Sequence, residues 1–352
     1  MRKLLIAILS FNLFVLNLHS VDKNLRDALK DLIGTFSKSV RKQSNAYDYL
    51  KDLDNATVRK ISEVQEKLIT LAKADSNLKI RVNLYDSLRI LNSNTFFKGK
   101  PENITSYINH IDDLIEARKA LPEGSNNFKE IGKLINGSLS GVKRAMQARI
   151  GPIAEVAPLL KDNKKVVIEP QMSKYSQHLG EGGLNANSVS NNTKDFRQFV
   201  DHVVDEGDAI RHIEIKTLES LDGFSYKTKD GKLFHYNPVE KITNQAQTHI
   251  ERMLKESGDN IPLDDLLDSS KYPHLKHIIY HSSIPDNQLD DLAEDIKDSV
   301  YTIIDTLAES KKIKLDPAKA NDKLTVTERE KLINKYLDTV KFKKINMSSD
   351  AI

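Results

Sequence analysis

The sequence predicts an α+β protein: an all-α helical bundle in the N-terminal half, followed by an α/β core around a central mixed sheet. Three observations predict it. Over residues 22–160, leucine and isoleucine recur at three- and four-residue spacing, the period of amphipathic helices. Residues 161–194 are rich in Ser, Asn and Gly, as a boundary followed by a loop would be. From Asp195 onward the pattern reads strand, strand, hairpin, helix, strand, helix, which is α+β or α/β grammar. The expected divisions are a leader at 1–20, a helical domain at 21–160, a linker and loop at 161–194, the α/β core at 195–310 and a C-terminal helical extension at 311–352.

Met1-Arg2-Lys3 opens the leader with positive charge, residues 4–18 are almost uncharged and apolar, and Ser20 offers a small residue at the cut. This is the pattern of a secretory signal peptide, and it predicts export to a periplasm or the exterior. The apolar run is shorter than the ~20 residues a bilayer span needs. In the helical half, Leu25, Leu29, Leu32, Ile33, Phe36 and Val40 share one stripe. Val64, Leu68 and Leu71, then Leu78, Val82, Leu84, Leu88 and Leu91, continue such faces, and 104–121 and 128–148 add two more amphipathic segments. No catalytic constellation falls here. The expected role of this half is recognition, spacing or docking of a protein partner.

The second half begins with a short strand candidate at Val166-Val167-Ile168. Residues 196–204 and 209–218 follow as strands around the turn-prone Asp205-Glu206-Gly207-Asp208. Residues 224–236 read as a hairpin about Lys229-Asp230-Gly231. Pro238 opens a helix running to about residue 255, 274–281 is a strand, and 287–310 is a helix with Leu289, Leu292, Ile296, Val300, Ile303 and Ile304 on one side. A last helix starts at Thr327, where Thr327-Glu328-Arg329-Glu330 spells a capping box.

Composition narrows the chemistry. The 352 residues contain no cysteine, which excludes disulfides, zinc–thiolate sites, iron–sulfur clusters and cysteine nucleophiles. Lys+Arg 53 against Asp+Glu 50 leaves +3, so any basic site is local. No Gly-x-Ser-x-Gly elbow occurs, and no His-x-x-x-His pair accompanies a suitable glutamate. Asn55, Asn103, Asn136, Asn191 and Asn346 begin glycosylation triplets, of consequence only for a chain secreted through an endoplasmic reticulum.

The chemically informative segment is Asp201-His202-Val203-Val204 followed by Ile213-Glu214-Ile215-Lys216. Alternation places His212, Glu214 and Lys216 on one strand face, with Ile213 and Ile215 on the other. A connecting turn of two or four residues sets Asp201 opposite His212 and makes it a diagonal neighbour of Glu214, at ~7–8 Å between backbones. A three-residue turn pairs it with Arg211 instead. Asp208, six residues before Glu214, competes with Asp201 for the role of metal aspartate. Two acidic oxygen ligands plus water suit Mg²⁺ or Mn²⁺. Lys216 beside them is placed to orient a nucleophile or stabilise developing negative charge, the needs of phosphodiester cleavage.

These residues, the thirteen-residue step from Asp201 to Glu214, and Tyr236-Asn237-Pro238-Val239-Glu240 opening a helix together resemble the nuclease-related domain (NERD) group of the PD-(D/E)xK nuclease superfamily. The resemblance covers residues 195–304. It implies a metal-dependent nuclease core acting on nucleic acid, with DNA the expected substrate, Asp201 and Glu214 as metal ligands, and Lys216 as catalytic lysine. That group's helix continues with a glutamine two residues beyond the position of Val239. Lys241 stands there in this sequence, and Gln245, one turn on along the same face, takes over as the residue that orients water or phosphate. For the group's further glutamate, on the helix before the first core strand, Glu181 and Glu169 are the two candidates. Should that residue be lacking, the resemblance implies a non-catalytic, nuclease-like interaction or nucleic-acid-binding module.

Lys216, Lys227, Lys229, Lys232, Lys241 and Arg252 are basic positions near this segment, interleaved with Phe224, Tyr226, Phe234 and Tyr236. Lysine and arginine suit phosphates, and aromatic rings suit unpaired bases. The same residues also fit an ordinary hairpin with one packed face. His212 is read as a hydrogen-bonded histidine or as a ligand of metal or phosphate.

Overall fold

The computed structural model describes residues 53–93, 96–168, 201–227, 230–254 and 257–347. The leader, the 25–40 stripe, Glu169, Glu181, Lys229 and most of the 161–194 loop lie outside these residues.

Among the described residues six helices come first: α1 (Asn55–Ala74), α2 (Leu84–Asn92), α3 (Pro101–Ala120), α4 (Asn126–Ser138), α5 (Lys143–Gln147) and α6 (Ile150–Lys161). Their starts are written in the sequence. Asp54, Asn83 and Ser125 each accept an amide of the first turn, from Thr57, Asp86 and Phe128, and α3 opens on a proline. Leu78 and Val82 precede α2 rather than belonging to it. The single segment expected over 128–148 is two helices. The apolar period runs through the intervening turn, where Gly141 adopts a φ of 76° that other residues reach only with strain.

There follow β1 (Val166–Ile168), β2 (His202–Asp205), β3 (Ile210–Leu218), β4 (Phe224–Lys227), β5 (Leu233–Tyr236), α7 (Pro238–Leu254), β6 (Ile261–Pro262), α8 (Leu263–Leu267), β7 (His274–His281), α9 (Asp286–Glu309), β8 (Ile313–Lys314), α10 (Val326–Leu337) and β9 (Lys341–Asn346). The central sheet has the order β1-β2-β3-β7-β9. β1, β2 and β3 form an antiparallel meander, and β7 and β9 extend it in parallel. The chain is therefore mixed α+β, as expected. Of the strand expected over 196–204, the described part is His202–Asp205 with Asp201 just before it.

Two expectations about the C-terminal region are corrected. The capping box of α10 uses Thr325 and Glu328, not Thr327 and Glu330. The 311–352 region is also not a purely helical extension, since β9 closes the edge of the central sheet beside β7. Three lysines in this six-residue strand hide its alternation.

Helices cover both faces of the sheet. Ile213, Ile215, Ile278 and Tyr280 share one core with residues of α1 to α6. Val203, Leu275 and Ile279 pack on the other side with Ile242, Ala246 and Ile250 of α7 and with the apolar side of α9. Helix α6 lies very close to β3: a Cβ on Gly151 would sit 2.5 Å from Ile215 Cγ2. The outer edge of β1 is met by asparagines at the start of α4. Asn127 donates to Val166 O at 2.7 Å and accepts from Ile168 N at 3.0 Å, and Asn126 donates to Ile168 O at 2.7 Å. Asn103, one of the glycosylation triplets, is buried and donates to Phe96 O and Met347 O.

Candidate active site

The β2–β3 register fixes the site. His202 faces Ile213 and Asp205 faces Ile210, so four residues (206–209) make the connection. One step further along that register, Asp201 stands beside Glu214. The direct Asp201–His212 pairing expected from the sequence is thus corrected by two residues, because the paired segment begins one residue later on each strand. Slipping both strands preserves parity, so Asp201 still shares a sheet face with His212, Glu214 and Lys216.

Asp201 is anchored by its backbone and by one carboxylate oxygen. Its amide donates to Ile213 O at 3.1 Å, and Oδ2 accepts the Ile215 amide at 2.6 Å. Glu214 is 3% exposed. Its Oε2 accepts from Lys216 Nζ at 3.1 Å and from Gln245 Nε2 at 2.8 Å. Gln245 reaches it because α7 starts at Pro238, where Asn237 Oδ1 caps the Val239 and Glu240 amides, and then crosses this face. Gln245 Oε1 has no hydrogen-bond partner among the described residues.

Burial raises the Glu214 carboxyl; Lys216 and Gln245 pull against it, while the charge of Asp201 adds to the rise, and the balance stands at about 7. Burial also opposes the Lys216 ammonium, but the charges of Glu214 and Asp201 outweigh it and hold its pKa above the usual lysine value. A buried carboxyl thus lies beside a second carboxylate and one ammonium, with Glu214 poised to exchange a proton near neutrality.

Asp201, Lys216 and Gln245 open into a cleft of about 1320 Å³. Glu214 lies beneath this lining, behind Lys216 and Gln245, rather than in it. Asp208, the other aspartate considered, does not line the cleft: it pairs with Arg211 at 3.0 Å in the turn. His212 is fully buried and hydrogen-bonds His249 of α7, the rings meeting edge-on at 4.4 Å between centroids. It belongs to the packed layer beneath α7 and not to the cleft wall.

Two contributions were not foreseen. His277 sits beside Glu214 in the parallel β3–β7 register. It is fully buried, neither ring nitrogen has a hydrogen-bond partner among the described residues, and burial, then the charges of Lys216 and His249, push its pKa down to about 3. A neutral imidazole therefore backs the carboxylate. The second contribution comes from the helical half: Lys143, Arg144 and Arg149 line the cleft together with the sheet residues. The basic run Lys143-Arg144 was the only sequence signal for this. Of the basic positions named beforehand, Lys216 and Lys241 line the cleft, whereas Lys227, Lys232 and Arg252 do not.

A divalent cation fits the donor set in one respect and strains it in another. The repulsion that Asp201 exerts on Glu214 is what a cation relieves, and Mg²⁺ is commonly held by one or two carboxylates with water and substrate phosphate. Yet among the described residues no group of three or more His, Asp or Glu side chains is arranged to hold a metal. Among those residues, too, no helix is long and apolar enough to cross a membrane. No protein-family model matches this sequence, and neither a curated protein nor a solved structure matches it.

Proposed function

We propose that this cleft is the active site of an exported, Mg²⁺- or Mn²⁺-dependent nuclease hydrolysing phosphodiester bonds, with DNA as the substrate. In this reading the sheet and α7 form a PD-(D/E)xK-like core, flanked by an N-terminal helical bundle and exported by the 1–20 leader. One observation carries the reading: Glu214 Oε2 is held at once by Lys216 and Gln245, on the sheet face shared with Asp201.

Asp201 and Glu214 would hold the cation. Bound there, it would supply Lewis acidity that lowers the pKa of water and offsets phosphate charge. The chain's own groups do the rest. Lys216 brings an ammonium to the charge that builds on the phosphate oxygens. Gln245 Oε1 is an acceptor that can orient the attacking water, while its Nε2 stays fixed on Glu214. The Ile215 amide holds the Asp201 carboxylate in place.

The test is cleavage of labelled DNA and RNA by the mature protein in Mg²⁺. Glu214→Ala and Lys216→Ala should each lower the rate by about 10²-fold or more. Equal cleavage by all three proteins would remove this site from the reaction. Independently of turnover, Mg²⁺ or Mn²⁺ should raise the melting temperature of the parent and not of Asp201→Asn. Export predicts a secreted chain beginning near Val21, read by N-terminal sequencing.

The two-carboxylate donor set favours a second reading, a non-catalytic nuclease-like module that binds nucleic acid or a protein partner. Its signature would be binding without metal-dependent turnover in the same assay.

A further inference from the structure

The β4–β5 hairpin stands at the rim of the cleft and exposes rings that a folded core would normally cover. Phe224 is 45% and Phe234 is 50% exposed, and both line the cleft together with Tyr236. The hairpin pairs Phe224 with Tyr236 across its two strands, and the ring centroids lie 5.0 Å apart. A cation flanks each ring. The Arg144 guanidinium, from the helical half, is 5.9 Å from the Phe224 centroid. Lys241 Nζ, from the first turns of α7, is 5.2 Å from the Tyr236 centroid. Three separate parts of the chain therefore build a row: cation, ring, ring, cation.

We infer that this row is a binding platform for an unpaired nucleic-acid strand, with bases on the Phe224, Phe234 and Tyr236 rings and phosphates on Arg144 and Lys241. The inference rests on the nucleic-acid reading of the cleft and deepens it by naming strandedness. A ligand that complements the row must alternate flat π surfaces with negative charge. An unpaired strand does so, and aromatic platforms flanked by basic residues are its general mode of capture. A duplex keeps its base faces stacked inside and presents only edges and phosphates, so it offers no base face to the exposed rings. Glu219, Asp222 and Glu240 also line the cleft. A bare polyanion would thus meet like charge there beside the cations, whereas an unpaired strand also gains stacking on the rings.

The experiment is binding of a fluorescent single-stranded oligonucleotide, and of the same sequence as a blunt duplex, to the full mature chain in EDTA. The single strand should bind at least tenfold more tightly. Phe224→Ala should weaken single-strand binding roughly tenfold with little effect on the duplex. Arg144→Gln should weaken both and lower the salt dependence of single-strand binding. Phe224→Leu, which keeps apolar bulk and removes the ring, guards against a folding defect and should behave like Phe224→Ala. Duplex binding equal to or tighter than the single strand would overturn the inference. So would inorganic polyphosphate competing as well as the oligonucleotide, or unchanged binding by both Phe224 variants. Because EDTA excludes turnover, failure here is separable from failure of the Glu214 and Lys216 cleavage test.

Discussion

Glu214 is set between opposing pulls: burial and Asp201 favour its proton, Lys216 and Gln245 favour its loss. Its carboxyl titrates at about 7 in the folded chain, well above the ~4.3 of a free glutamate. The folded state therefore binds a proton more tightly than the unfolded state. The stability this contributes is fully present below the unfolded value and is lost as pH rises through about 7. Glu214→Gln keeps the shape and a neutral group, so in EDTA it should be more stable than the parent at pH 8, by about 3–4 kcal/mol at most, with the gap narrowing to about 1 kcal/mol by pH 5. Urea denaturation at the two pH values checks this; a gap that widens toward pH 5 would contradict the assignment. Asp201, Glu214 and Lys216 were legible in the sequence because strand alternation depends on parity alone, which a slip of both strands preserved. That Gln245 would reach Glu214 was not legible from local pattern, because the contact depends on how α7 crosses the sheet face. His277 was not legible as a neighbour of Glu214, because it arrives from 63 positions away by a parallel register that local pattern does not encode.

Individual elements hold the site through close, specific contacts. Gly151 lets α6 rest against β3, and a side chain there would strike Ile215 and Tyr280. Gly151→Val should cost about 1–3 kcal/mol through overpacking. Because Ile215 lies between Glu214 and Lys216 and its amide holds Asp201, cleavage should fall more than the stability loss explains; thermal melts beside rate measurements would separate the two. Asn127 imitates a neighbouring strand for β1, giving and receiving one hydrogen bond each. Asn127→Leu strands two buried backbone groups, and a loss of about 2 kcal/mol or more is expected in denaturant titration. Element boundaries were readable where one signal stood alone, as at Pro238. They were misread where signals overlap: Thr325-Val-Thr327-Glu328-Arg-Glu330 spells two capping boxes two residues apart, and the helix uses the first.

At the scale of the whole chain, the helical half and one face of the sheet share a single core. The C-terminal end is tied into it as well, since Met347 O accepts both Lys100 Nζ and Asn103 Nδ2 at the start of α3. Near- and far-ultraviolet circular dichroism should therefore report one coincident unfolding transition, and removing residues 341–352 should destabilise the helical half along with the sheet. Two separated transitions would show that the halves fold independently. This long-range union was not readable, because periodicity identifies a buried face without saying which distant face covers it.

The two borders of the central sheet are guarded by different means. Asparagine side chains occupy the border at β1, while β9 carries Lys341, Lys343 and Lys344, charges that discourage strand addition. The first guard is geometric and indifferent to ionic strength; the second is electrostatic and fades in salt. Self-association by edge-to-edge pairing should therefore begin at the lysine-bearing border, and concentrated brine is the condition that would unmask it.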